Sequence, residues 1–314
     1  MNIILPSPRG FCAGVTRAIE ILEATIKKNI DNKQIYVFNY IVHNQYIIDY
    51  FKNKGVIFIK SIEEIKNKSD SIVIFSAHGV SENVEKSFNN ISSINIDASC
   101  PLVKKIHRNV TNLSKDEYHI IIIGKHDHPE VIGTAGRIKN TNNYSIVFSK
   151  KDIDNLKINK SVKLAYVIQT TLGVFETQDT LSYLKNKFPN IVGQDIKDIC
   201  YASKNRQDAI HKAILKYKID YAFIIGAHFS SNSHGLKNVL KSYNIKTNLV
   251  NNEKEIDINN IDDNHTILIT SAASAPEILV EKTLQKLNDY FNIKIIYFNT
   301  LTESVNFKIP SHLM

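Results

Sequence analysis

The sequence predicts an α/β protein with mostly parallel sheets, built from three similar α/β units. Three observations carry this expectation. Apolar runs of strand length alternate with amphipathic segments along the whole chain. No long Pro-, Gly- or Ser-rich linker divides them, so the units should be closely packed. The three cysteines, Cys12, Cys100 and Cys200, are spaced by 88 and 100 residues, and each opens a helical pattern.

The first unit, residues 1–98, begins on the strand NIILPS. After Cys12, Val15, Ala18, Ile19, Leu22 and Ile26 recur at helical spacing, and the strands QIYVFNYIV, VIFIK, SIVIFSA and SINID follow. The second unit, residues 99–197, repeats the order: Val103, Ile106, Val110 and Leu113 mark a helix after Cys100, ahead of HIIIIG, YSIVFS and KLAYVIQT. The third, residues 198–285, has Ala209, Ile210, Ala213 and Ile214 after Cys200, then YAFIIGA, TNLVN and TILITSA. A closing segment, residues 286–314, carries IKIIYFN.

Three cysteines are an odd number, and no CxxC occurs, so neither a complete disulfide scheme nor a zinc ribbon is indicated. A free cysteine often acts as a small buried hydrophobe, and on residue type alone that reading leads. The shared setting argues for more. A thiol at a strand-to-helix junction lies on the positive end of the helix, which should lower its pKa and favour a metal-binding thiolate. Three units around an axis would bring three such thiolates together. A zinc site for hydrolysis made from the same thiolates is the rival reading, and a phosphate-sensing or nucleic-acid module with space-filling cysteines is the other.

Composition narrows the classes. With 43% hydrophobic and 22% charged residues in 314, the chain is neither disordered nor fibrous. The net charge of +8 invites nucleic-acid binding, but the only arginines are Arg9, Arg17, Arg108, Arg137 and Arg206, and the lysines are dispersed, so no nucleic-acid partner is expected. The start, MNIILPSPRGF, has no basic flank before a long apolar run, and no run approaches the ~20 residues of a membrane span, so the expected compartment is the cytoplasm, with no membrane partner.

Six strands end in loops of small hydroxylated residues, His and Asn: around His43, around His78, from Lys125 to Glu130, Gln169-Thr170-Thr171, from Gly226 to Ser233, and from Thr270 to Glu277. Loops at the carboxyl ends of parallel strands collect into one crevice, where helix N-termini offer backbone N–H groups to an anion such as a diphosphate. Capping explains any one loop; six in one chain point to a site. Neither GxxxxGK[ST] nor GxGxxG occurs, so a nucleotide is not indicated.

These residues resemble the hydroxymethylbutenyl diphosphate reductase (LytB) family. The resemblance runs in order through PRGFCAG (8–14), VHN (42–44), SAHGVS (76–81), DASCPLV (97–103), HPEVIGT (128–134), QTTL (169–172), ICYAS (199–203) with NRQ, SSNS (230–233) and SAP (274–276), and ESVNFKIP (303–310) is similar to the family's closing segment. It implies a pseudo-threefold trefoil around a central cavity holding one 4Fe-4S cluster, with Cys12, Cys100 and Cys200 as ligands and one open iron. It implies reductive removal of the hydroxyl of an allylic diphosphate, the last step of the non-mevalonate isoprenoid pathway, with a ferredoxin or flavodoxin as electron donor. Glu130, in the HPE motif, is the expected proton source, and His43, His78, His128, Thr171, Ser230, Ser231, Asn232 and Ser274 would line the substrate pocket. Neutral donors of this kind hold a diphosphate by hydrogen bonds, so no magnesium is expected. The chain departs from the family pattern at Asn39-Tyr40, Lys125, Ser203-Lys204 and Phe229.

Overall fold

The computed structural model describes residues 1–91, 94–159, 161–194 and 200–314, with the backbone alone at 174–176. The chain runs β1 (Asn2–Ser7), α1 (Ala13–Lys28), β2 (Gln34–Phe38), α2 (Gln45–Asn53), β3 (Ile57–Ile59), β4 (Ser71–Phe75), α3 (Glu82–Asn89), β5 (Ile94–Asp97) and α4 (Pro101–Lys115). It continues with β6 (His119–Ile123), α5 (Pro129–Ala135), β7 (Tyr144–Val147), α6 (Lys150–Asp154), β8 (Leu164–Ile168), α7 (Val174–Lys187) and β9 (Val192–Gly193). Last come α8 (Tyr201–Lys216), β10 (Tyr221–Ile225), α9 (Ser231–Ser242), β11 (Lys246–Val250), β12 (Thr266–Ser271), α10 (Glu277–Tyr290) and β13 (Lys294–Asn299).

The strands form three sheets, β3-β2-β4-β5, β7-β6-β8-β9 and β11-β10-β12-β1-β13. Every described pairing is parallel. Parallel sheets need both faces covered, which is why β4 (SIVIF) and β10 (YAFII) are apolar runs, buried at every position. Each sheet follows one spatial order: second strand, first, third, then a fourth.

That fourth place corrects two points of the division, the start of the first unit and the boundary at 285. In the last sheet it is filled by β1, which pairs with β12 on one side and β13 on the other. The first strand therefore belongs to the third unit, and β13 extends that sheet instead of forming a separate closing segment. The expected boundary at 197 lies outside the described residues. Strand pairing is a non-local choice, and the run NIILPS fits one buried sheet as well as another.

The threefold arrangement is clearest with this phase. Each cysteine follows a fourth strand (β1, β5 or β9) and opens the helix that crosses to the next sheet (α1, α4 or α8). Ala18 and Leu22 of α1 pack on Val37, Ile72 and Ile74. Ile106 and Val110 of α4 pack on Ile120 and Val167, and Ile210 and Ala213 of α8 on Ala222 and Ile224. Apolar packing of each helix on the following sheet aims its N-terminus back at the axis. Among the described residues no helix is long and apolar enough to cross a membrane.

Candidate active site

The loops after the first, third and fourth strand of each sheet meet in one central cavity. First-strand ends bring His43, then His128 with Glu130, then Ser230, Ser231 and Asn232. Third-strand ends bring His78, then Thr170 and Thr171, then Ser274. Fourth-strand ends bring Cys100, Cys200 and Cys12. All twelve sequence-predicted site residues thus line the same space. The second strands, β3, β7 and β11, lie at the outer edges and contribute none of these residues.

Each cysteine occupies the N-cap position of its helix and makes no side-chain capping bond. Backbone bonds fix two of them to neighbouring loops: Cys12 N–H donates to Ala273 O at 3.2 Å, and Cys100 N–H to Ala77 O at 2.9 Å. Gly14 lies so close that a Cβ there would come within 2.6 Å of Cys100 Sγ. The expected low thiol pKa is not found at Cys100 or Cys200. Burial, added to by the charges of the other cysteines, pushes Cys100 up to about 12 and Cys200 up to about 11, against the lowering effect of nearby backbone N–H groups. Desolvation outweighs the helix N-terminus because it acts on the whole anion, whereas the N–H groups return only part of its hydration. Cys100 and Cys200 thus stay neutral until a cation arrives, and three thiols gathered in one cavity are a donor set that fits a soft metal group.

The three histidines stack together. The rings of His43 and His78 lie 4.0 Å apart between centroids, with His128 at 5.4 and 5.6 Å from them. One ring nitrogen from each falls within 4.8 Å of the others. Burial lowers His43 to about 4; burial first, then the charges of His43 and Lys125, lowers His128 to about 3; and His78 sits well below its ordinary value. All three are neutral near pH 7. His78 Nδ1 and His128 Nε2 are buried without a protein partner, a cost that a bound anion would relieve.

Glu130 is almost completely buried. The Thr170 N–H donates to its Oε1 at 2.6 Å and the Thr170 hydroxyl to Oε2 at 2.9 Å. Burial pushes its pKa up to about 7 despite these two donors. Its own N–H donates to His128 Nδ1 at 3.2 Å, which leaves Nε2 of that ring as the free nitrogen. Thr170 is the residue that sequence reasoning missed. The pair Thr170-Thr171 presents two equal hydroxyls, and only the strand-to-loop geometry aims the first at Glu130, while Thr171 accepts from Gln169 Nε2 at 2.8 Å.

Asn232 ties α8 and the loop after β12 to the start of α9 within the third unit. Its Nδ2 donates to Ser203 Oγ at 3.1 Å and its Oδ1 accepts from Ala273 N at 2.8 Å. Ser274 Oγ donates to His43 O at 2.9 Å, and Ser230 caps α9 through Ser233 N. Val42, Ala77, Leu102 and Val103 supply apolar wall. Of the departures, Asn39, Tyr40, Lys125 and Phe229 line an outer groove of about 920 Å³ that shares His43, His128 and Ser231 with the inner cavity. Tyr40 and Phe229 meet in its lining with ring centroids 5.8 Å apart.

A family model described as "LytB protein" matches residues 3–288. A Wolbachia pipientis wMel protein is 41% identical over 312 residues, 99% of each chain, and one from Ehrlichia ruminantium strain Gardel is 43% identical over 313, covering 100% of this chain and 93% of its own. Both are named 4-hydroxy-3-methylbut-2-enyl diphosphate reductase. Among solved structures, the E-1-hydroxy-2-methyl-but-2-enyl-4-diphosphate reductase from Plasmodium falciparum superposes with a TM-score of 0.90 at 35% identity, covering 100% of this chain and 96% of its own. A second, a (E)-4-hydroxy-3-methyl-but-2-enyl diphosphate reductase described as the terminal enzyme of the non-mevalonate pathway, gives 0.64 at 27% identity over 92% of this chain and 99% of its own. Sequence likeness along the full length and the same three-sheet architecture lead to one conclusion: this chain belongs to the LytB family.

Proposed function

We propose that this chain reduces (E)-4-hydroxy-3-methylbut-2-enyl diphosphate to isopentenyl and dimethylallyl diphosphates, the last step of the non-mevalonate isoprenoid pathway. The observation that carries the reading is the meeting in one cavity of three thiols, three neutral histidines and a carboxyl that holds its proton near neutrality. Membership of the family implies an iron–sulfur cluster, and Cys12, Cys100 and Cys200 are the residues that would hold it. When bound by three thiolates, a 4Fe-4S cluster supplies single electrons and one iron free of protein ligands, which acts as a Lewis acid.

The reaction consumes two electrons and two protons, breaks the allylic C–O bond and releases water. This chain's residues account for the proton that goes to oxygen and for the anion, while the second proton goes to the carbon skeleton. Glu130 delivers a proton to the departing hydroxyl, a poor leaving group as hydroxide. Protonated Glu130 must donate one bond, and the Thr170 hydroxyl can rotate to accept it, so Thr170 serves both forms of the acid. His43, His78, His128, Thr171, Ser230, Ser231, Asn232 and Ser274 hold the substrate. Among the described residues lining the cavity Glu130 is the lone carboxylate, and Thr170 engages both its oxygens, so the pocket offers nothing that magnesium prefers. A ferredoxin or flavodoxin delivers the electrons one at a time, and the enzyme works in the cytoplasm.

The test is an anaerobic iron and sulfide assay joined to reduction of the allylic diphosphate by an artificial donor. About four irons per chain and turnover that Cys100→Ser abolishes are expected. The close set of His nitrogens favours one second reading, a mononuclear metal hydrolase. A colourless protein that releases phosphate without consuming electrons would establish it instead.

A further inference from the structure

Two arginines stand just behind the sulfur-bearing loops, outside the substrate cavity. Arg206 of α8 is 1% exposed. It donates to Gly10 O from Nε at 3.0 Å and Nη2 at 2.8 Å, and to Phe11 O from Nη2 at 3.2 Å. Arg17 of α1 donates from Nη1 to Ser99 O at 3.1 Å. Phe11 O and Ser99 O are the carbonyls of the peptide bonds that carry the N–H groups of Cys12 and Cys100. The pattern repeats at two of the three cysteines: the arginine five or six residues after one cysteine grips the peptide before the next. Cys200 and Arg206 reach Cys12; Cys12 and Arg17 reach Cys100. The corresponding peptide before Cys200 lies outside the described residues.

The C-terminal segment fastens both arginines from behind. Glu303 accepts from Arg206 Nη1 at 3.1 Å and Nη2 at 3.3 Å, and from Asn205 Nδ2 at 3.0 Å. Lys308 O accepts from Arg17 Nε at 2.9 Å. A guanidinium stays charged in any protein environment, and a buried charge acts over a longer range than a solvated one. Each arginine therefore does two things at once: it fixes the backbone from which a sulfur projects, and it places positive charge behind that sulfur.

We propose that Arg17 and Arg206 are positioning residues for the metal group, each locking the peptide ahead of a cysteine, with the C-terminal segment as their fastener and Glu303 offsetting the charge of Arg206. This rests on the reading that the three thiols hold an iron–sulfur cluster. Positive charge near a cluster stabilises its reduced form, so the arginines raise its reduction potential and Glu303 lowers it.

The test uses the full chain, purified anaerobically with its cluster, and compares wild type with Glu303→Gln, Arg206→Gln and Arg17→Gln by iron and sulfide content and by a redox titration. Glu303→Gln is expected to shift the potential upward. Arg206→Gln and Arg17→Gln are expected to shift it downward and to lose iron faster in air. Shifts of opposite sign separate this role from simple scaffolding, which would loosen the cluster in all three variants alike. If Arg206→Gln fails to fold, Arg17→Gln and Glu303→Gln still carry the comparison. Fully loaded variants with the wild-type potential, or shifts all of one sign, overturn the proposal. A wild-type protein without iron and sulfide overturns the functional reading itself.

Discussion

The backbone N–H and the hydroxyl of Thr170 both donate to the carboxyl of Glu130, one to each oxygen, in a place where water does not reach. Burial favours the acid and the two donors favour the carboxylate, and the balance near 7 suits a group that must give up a proton at physiological pH. Glu130→Gln keeps the shape and loses the proton; turnover should fall by about 10² to 10⁴ with substrate binding retained. Thr170→Val removes one of the two donors, so the Glu130 pKa should rise further and the alkaline limb of the rate profile should move to higher pH. In wild type kcat/KM should decline as pH rises through about 7. An unchanged profile in Thr170→Val would remove Glu130 from the role of acid.

Stability should follow pH with two opposed signs. His43 and His107 are lowered to about 4 and His128 to about 3, in each case first by burial, against 6.5 when unfolded. Their contribution is present above 6.5 and is lost as pH falls toward 4, because the unfolded chain takes up protons that the folded one refuses. Glu130, raised from 4.5 to about 7, acts in reverse: its contribution is present below 4.5 and is lost as pH rises through 7. Three histidines outweigh one carboxyl at every pH below about 7, so the stability of the cluster-free protein should rise from pH 4 and level off above about 7. Thermal melts from pH 4 to 8 should show the rise, and Glu130→Gln should steepen it between about pH 4.5 and 7.

The sulfurs, the histidines and the acid were legible because each sits where an apolar strand stops and a helix starts, a boundary that composition marks locally. What escaped was non-local. Nothing in NIILPS tells which sheet it joins, so proximity in sequence groups β1 with the strands that follow it rather than with β12 and β13, its partners. The two-residue strand Val192–Gly193 is too short to leave a pattern. The sign of the thiol pKa shifts was missed for a related reason: the helix N-terminus is written in the sequence beside each cysteine, while the burial that overrides it comes from three loops far apart in the chain. Thr170 and Thr171 differ only in which way a turn aims them.

Gly14 offers a separation of folding from metal loading. A Cβ at this position meets Cys100 Sγ at 2.6 Å and Cys100 Cβ at 3.3 Å. Gly14→Ala gains about 1 kcal/mol of helix propensity, and overpacking costs about 1 to 3 kcal/mol unless the neighbour gives way. A thiol can rotate aside on its single bond, so the fold should survive with Tm little changed while Cys100 Sγ leaves the axis. Iron content should drop sharply. Full loading in Gly14→Ala would mean that the Cys100 sulfur is not held where the cavity places it.

Binding of an anion should draw protons into the site. The empty pocket keeps His43, His78 and His128 neutral by burial, with His78 Nδ1 and His128 Nε2 unpartnered. A diphosphate placed against them adds negative charge in a poorly screened cavity, which favours imidazolium and raises all three pKa values. The complex then binds more protons than the free protein, so affinity must fall as pH rises. Calorimetry with inorganic diphosphate at pH 6, in two buffers of different ionisation enthalpy, should report proton uptake. Chelator should leave the affinity unchanged, since the pocket supplies hydrogen-bond donors in place of a divalent ion. Proton release on binding, or affinity that disappears with a chelator sparing the cluster, would show that a metal ion and not these histidines receives the phosphate groups.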